Sequence, residues 1–88
     1  MPKAKVQRVI DGDTFVTSTG KKVRLANVNA PEKGRRGAPQ ARKDLRGMIS
    51  RKQVNVDVVA HDRYGRAIAN VKVGKKSVNK TMRGKGWK

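Results

Sequence analysis

Asp11 and Asp13 flank Gly12 in a short acidic turn, and Glu32 follows an Ala-Pro step further along a chain that holds 23 Lys and Arg against only 6 Asp and Glu. Carboxylates gathered within so positive a field suit a hard divalent cation, which takes oxygen ligands and also bridges to a bound phosphate. Two arginines complement them. Arg24 lies within a strand-like run, and Arg66 opens another straight after the Asp62-Arg63-Tyr64-Gly65 turn. Guanidiniums fixed on rigid elements clamp phosphate in a bidentate fashion and stabilise the extra charge of a pentacoordinate transition state. Each feature alone is ordinary, since Asp and Gly are common turn residues and a strand arginine is usually a solvated one. Their joint presence points to phosphate chemistry.

The charge balance narrows the class. A net charge of +17 in 88 residues exceeds what solubility requires, so a polyanion is the expected partner, DNA or RNA, with affinity that falls as salt rises. No stretch pairs a wide apolar face with a basic one, and none reaches the roughly 20 apolar residues of a spanning helix, so no membrane partner is expected. No obligate protein partner is implied, and the oligomeric state stays open. Cysteine is absent and histidine occurs once, which excludes disulfides and leaves no thiolate or multi-histidine zinc site. Met1-Pro2-Lys3 leads into a polar stretch without an apolar signal core. The expected location is therefore cytoplasmic, or secreted if a leader was removed.

These side chains need a frame, and the apolar pattern supplies one. Residues 5–10 and 14–18 are rich in β-branched side chains and predict a hairpin around Asp11-Gly12-Asp13. Thr19-Gly20 turns into a third strand over 22–28, ending at Asn29-Ala30-Pro31. Residues 32–37 form a loop carrying Lys33, Arg35 and Arg36. From Ala38, with Pro39 suited to a first turn, Ala41, Leu45, Met48 and Ile49 recur at helical spacing up to about residue 52, with Gly47 a weak point. Two more strands follow over 54–60 and 67–73, with Val54, Val56 and Val58 on one side of the first and Ala67, Ala69, Val71 and Val73 on one side of the second. A short helix over 77–83 is expected to turn Val78 and Met82 inward before Gly84 and Gly86 end it. The expected fold is mainly β with α (α+β): a single domain over 1–88, a five-stranded OB-type barrel with a helix inserted after strand 3 and a short C-terminal helix. A two-sheet sandwich shares the pattern; closure is preferred because it removes edges that so small a chain cannot cover.

Val9-Ile10-Asp11-Gly12-Asp13-Thr14, then Val23-Arg24-Leu25 leading to Ala30-Pro31-Glu32, then Asp62-Arg63-Tyr64-Gly65-Arg66 resemble, in order and spacing, the staphylococcal nuclease-like (thermonuclease) family, over nearly the whole chain. The resemblance implies an OB-type barrel and a Ca²⁺-dependent nuclease that hydrolyses DNA or RNA phosphodiesters with little sequence preference, giving 3′-phosphate products. It implies Asp13 and the Ala30 carbonyl as metal ligands, Glu32 as the general base, and Arg24 and Arg66 as the pair that binds phosphate and stabilises the transition state. Arg63 and Tyr64 fall where the family contacts nucleotide phosphates, and Arg35 and Arg36 join them as candidate substrate contacts. Asn29 departs from the pattern, standing where the family carries a metal-ligating aspartate; its carbonyl oxygen still offers a ligand, at reduced anionic charge. Trp87 is expected to cap the open end of the barrel, in place of the further helix that the best-known members carry.

Two functions compete. The first is a metal-dependent phosphodiesterase. The alternative is a basic nucleic-acid-binding module in which Asn29 has weakened or abolished catalysis. A structural component using residues 75–88 as a contact arm is a third, weaker reading, which the gathered carboxylates oppose.

Overall fold

The computed structural model describes residues 3–88; Met1 and Pro2, part of the N-terminal stretch read above for a leader, lie outside them. Eight elements follow in order: β1 (Lys3–Asp11), β2 (Thr14–Thr17), β3 (Lys22–Leu25), α1 (Ala38–Ile49), β4 (Gln53–His61), β5 (Ala67–Val73), β6 (Lys76–Ser77) and α2 (Val78–Gly84). The sheet runs β3-β2-β1-β4-β5-β6, and a parallel pairing of β3 with β5 joins the first strand of that order to the fifth. Five strands therefore close on themselves, with α1 inserted after the third. This is the OB-type arrangement expected, and β6 is a two-residue addition beyond the five strands.

Two irregularities in β1 shape the barrel. Val6 and Val9 are both buried although three residues apart, which strict two-residue alternation forbids. Register shifts between Val6 and Arg8 and between Val9 and Asp11 supply the extra residues that turn both inward, as bulges do. Phe15, Val23, Leu25, Val54, Ala69 and Val71 join them in one core with Leu45 and Ile49 of α1 and Val78 and Met82 of α2.

Several boundaries differ from the sequence reading for local reasons. The third strand ends at Leu25 rather than 28, because Asn27 adopts a left-handed conformation at φ 59°, which a strand cannot continue through. The turn buries Val28 completely and brings Ala30 against the β1–β2 turn. Likewise α1 stops at Ile49 rather than near 52, where Ser50 leaves the helix and Arg51 turns left-handed at φ 58°. Val58 remains 41% exposed, unlike Val54 and Val56, at the mouth of an open pocket of about 340 Å³ that the buried Val23, Val56 and Ala67 also line. Trp87 does not line that pocket. Its Nε1–H instead donates to Asp44 Oδ2 of α1 at 3.0 Å, and its ring lies beside Gly37.

Asn79 closes the structure around the β3–β5 seam. It is 1% exposed, and its Oδ1 accepts from the Val71 N–H at 2.8 Å while its Nδ2 donates to the carbonyls of Ala26 at 2.9 Å and Ala69 at 3.0 Å. A neutral amide thus ties α2, β5 and the chain leaving β3 together. Removing it would strand buried backbone groups at a cost of about 1–3 kcal/mol each.

Candidate active site

The acidic turn is held against the helix by what Gly12 lacks. A Cβ at Gly12 would fall 2.4 Å from the Cβ of Ala41 and 2.7 Å from that of Ala30, so only glycine lets the β1–β2 turn, α1 and the 29–31 segment meet. That contact brings Asp13 beside Ala30. Asp13 is 8% exposed; its Oδ1 accepts from Thr14 Oγ1 at 2.9 Å, its Oδ2 accepts from the Ala30 N–H at 3.4 Å, and Arg24 Nη2 stands 3.6 Å from the same oxygen.

Arg24 is the mid-strand residue of β3 that faces this turn. Its Nη1 donates to the Leu25 carbonyl at 3.4 Å, and its Nη2 donates to the Val28 carbonyl at 3.3 Å and to Asn29 Oδ1 at 3.1 Å. The left-handed turn at Asn27 is what folds the Val28 and Asn29 acceptors back toward the guanidinium. Asn29 therefore reaches the site, and its amide oxygen faces Arg24.

Arg66 arrives from the neighbouring strand, at the foot of β5, which pairs with β3. The Asp62 carboxylate organises the whole β4–β5 turn: Oδ1 accepts from the N–H groups of Tyr64 and Arg66, each at 2.9 Å, and Oδ2 accepts from Arg66 Nε at 2.6 Å. Partial burial pushes the Asp62 carboxyl up, but the hydrogen bonds from Arg66 and Tyr64 outweigh it and hold its pKa below the usual aspartate value. Tyr64 is 74% exposed, with the Arg63 and Arg66 guanidiniums 5.8 Å and 5.7 Å from its ring centre, within cation–π range.

One cleft of about 440 Å³ is lined by Asp11, Asp13, Arg24, Asn29, Ala30, Glu32, Lys33 and Arg66. Six residues singled out from the sequence, Asp13, Arg24, Asn29, Ala30, Glu32 and Arg66, are thus brought together. Glu32 is exposed and enters neither of the two ion pairs among the described residues. Arg63, Tyr64, Arg35 and Arg36 do not line the cleft: the first two sit on the adjoining turn, and the others are exposed on the loop before α1. Lys33 and Asp11 do line it. Asp11 was visible as half of the acidic turn, whereas nothing local distinguishes Lys33 from its basic neighbours.

Among the described residues, no three His, Cys, Asp or Glu side chains come close enough to hold a metal ion by themselves. The groups facing the cleft that could contact a cation are oxygens, from carboxylates, an amide and the peptide backbone, which is hard-cation chemistry. No helix of the described residues is long and apolar enough to cross a membrane.

The family model described as "Staphylococcal nuclease homologue" matches residues 22–87. The chain is 42% identical over 72 residues to "Protein ParB" of Escherichia coli, covering 78% of this chain and 41% of that protein. It is 34% identical to an "Uncharacterized endonuclease" of Haemophilus influenzae, covering 94% of this chain and 50% of that protein, and 36% identical to the "Micrococcal nuclease" of Shigella flexneri, covering 78% and 41%. The chain spans half or less of the length of these relatives. The matched region carries β3 with Arg24, the 29–32 segment and the Asp62–Arg66 turn on a closed barrel, and the chain belongs to the staphylococcal nuclease family.

Proposed function

We propose that this chain hydrolyses phosphodiester bonds of DNA or RNA with the help of a divalent cation, Ca²⁺ by its ligand chemistry, and leaves 3′-phosphate products. The observation that carries the reading is the single polar cleft in which carboxylates and two arginines meet. Asp13, the Asn29 amide oxygen and the Ala30 carbonyl are the groups that would hold the cation, with water and substrate oxygens completing its shell. When bound, it supplies Lewis-acid polarisation of the phosphate and neutralises developing charge. Glu32, exposed and outside any ion pair, accepts the proton of a water attacking phosphorus. Arg24 on β3 and Arg66 at the foot of the paired strand β5 bind the non-bridging oxygens and gain strength as charge builds on them.

Plasmid DNA and a total RNA sample incubated with the chain in millimolar Ca²⁺ test this. Both are expected to be degraded, with cleavage abolished by chelator and reduced at least ~10²-fold by Glu32→Gln. Intact polymer across a wide Ca²⁺ range, or a Glu32→Gln variant as fast as the parent, would refute hydrolysis at this cleft.

One observation favours the binding-only alternative: Asn29 Oδ1 and Asp13 Oδ2 both already face Arg24, so the ligand set is thin in anionic charge. Asn29→Asp separates the readings. It raises Ca²⁺ affinity and turnover if the cleft catalyses, and changes neither if the surface serves binding alone.

A further inference from the structure

Beside the cleft runs a second groove, of about 380 Å³, lined by Arg8, Val9, Ile10, Lys22, Lys33 and Arg42. Its lining includes four cations and no carboxylate, and none of the four enters either ion pair among the described residues. Like charges held within a Debye length of about 8–10 Å repel, so an arrangement of this kind is eased by an anion laid among them. Three come from regular elements. Arg8 and Lys22 both lie across from Val16 in the β1-β2-β3 ladder, and Arg42 reaches from α1 to donate its Nε–H to the Val9 carbonyl at 3.2 Å. That bond fixes the guanidinium and leaves its Nη groups for another partner. Lys33 lines both this groove and the cleft, so the two adjoin at that side chain.

We propose that this groove is a phosphate track for the nucleotides flanking the one held in the cleft, so that the chain engages an extended single strand of nucleic acid. The proposal rests on the cleft being where the strand is bound for cleavage. It assigns Arg8, Lys22 and Arg42 a substrate contact that family motifs do not mark. Phosphates two or more positions from the reacting bond bind here, and longer strands bind more tightly than dinucleotides.

The test is binding of a fluorescent single-stranded 12-mer in chelator, where no cleavage intervenes, measured across salt concentrations. Arg8→Gln/Lys22→Gln removes two exposed cations of the track, and Lys75→Gln/Lys80→Gln removes two exposed cations elsewhere at the same net charge. The track pair is expected to weaken binding about tenfold at 0.15 M salt and to flatten the log–log salt dependence by about 1.4, the value for two lost phosphate contacts on a single strand. The control pair is expected to do less than half as much in both readouts. Equal losses from the two pairs, or parent-like binding by the track pair, overturn the proposal. Since the measurement needs no turnover, it stands or falls apart from the cleavage reading; Ca²⁺-dependent cleavage that survives a failed track leaves that reading intact. Thermal melts of both double variants confirm that each is folded.

Discussion

The two arginines of the cleft are positioned by opposite means. Arg66 is gripped at Nε by a close carboxylate, Asp62, inside a four-residue turn that the same carboxylate organises, and its Nη groups are left to face the cleft. Arg24 is held at its Nη groups by longer bonds, to two backbone carbonyls and the Asn29 amide, with Asp13 at 3.6 Å. The first is pre-aimed, with its fork available to a phosphate. The second must exchange weak neutral partners for the anion, which those contacts of 3.1–3.4 Å make easy. One site thus combines a rigid clamp with an adaptable one, and the adaptable one stands beside the groups expected to hold the cation.

Replacing either arginine should expose what the two share. Arg24→Ala and Arg66→Ala are each expected to reduce kcat for cleavage of single-stranded DNA by ~10²–10³, the magnitude for deleting one charge-stabilising donor; a tenfold smaller effect for one would show that the clamps are not equivalent in the transition state. Cutting the tethers should separate them. Asp62→Asn keeps the turn's shape but weakens the grip on Arg66, and a fall of about tenfold in kcat with little change in KM is expected. Asn29→Ala leaves both carbonyls on Arg24, so the expected fall, measured at saturating Ca²⁺ to set aside metal affinity, is no more than about threefold, because the remaining bonds still hold the guanidinium. If Asn29→Ala proved the more damaging of the two, the assignment of rigid and adaptable clamps would be reversed.

The smallest effect is on stability in acid. Asp62, through Arg66 and Tyr64, and Asp44, chiefly through the Trp87 indole and then Gln40, both titrate below the usual aspartate value of 3.8 in the folded chain. The unfolded chain therefore takes up protons first. The stabilisation is complete above about pH 4–5 and is lost as pH falls through the lowered folded-state values. Melting temperatures measured from pH 7 to pH 3 should drop over the acid end of that range, with a shallower drop in Asp62→Asn than in the parent. Both carboxylates are solvated, so the difference should be a few degrees at most.

Much of the cleft was legible because its members break the local rule of a basic chain: carboxylates where charge relief would scatter them, and an arginine within a strand. The strands and helices were legible from valine spacing and from Pro39, Gly84 and Gly86. What stayed hidden depends on chain segments far apart in sequence. Gly12 reads as a turn residue, and only the approach of Ala41 and Ala30 shows why nothing larger fits. Asn79 reads as a polar residue on a short helix, yet it is buried and bonded to three backbone groups. The ends of β3 and α1 were misplaced because Asn27 and Arg51 turn left-handed; asparagine tolerates that conformation without requiring it, and arginine gives no sign of it. The pairing of Trp87 with Asp44, 43 residues apart, has no local signature at all.

The parallel seam has a kinetic meaning. Val23, Arg24 and Leu25 pair with Ala67, Ile68 and Ala69, so the register that shuts the barrel also sets Arg24 opposite the strand that Arg66 leads into. Hairpins and helices form from neighbours, whereas this pairing must first spend the entropy of closing a long intervening loop. A partly folded chain with β1–β3 and α1 in place therefore holds Arg24 beside Asp13 and Asn29 but has yet to bring Arg66 to them. Recovery of phosphate binding during refolding becomes a clock for barrel closure, running behind the clock of secondary structure.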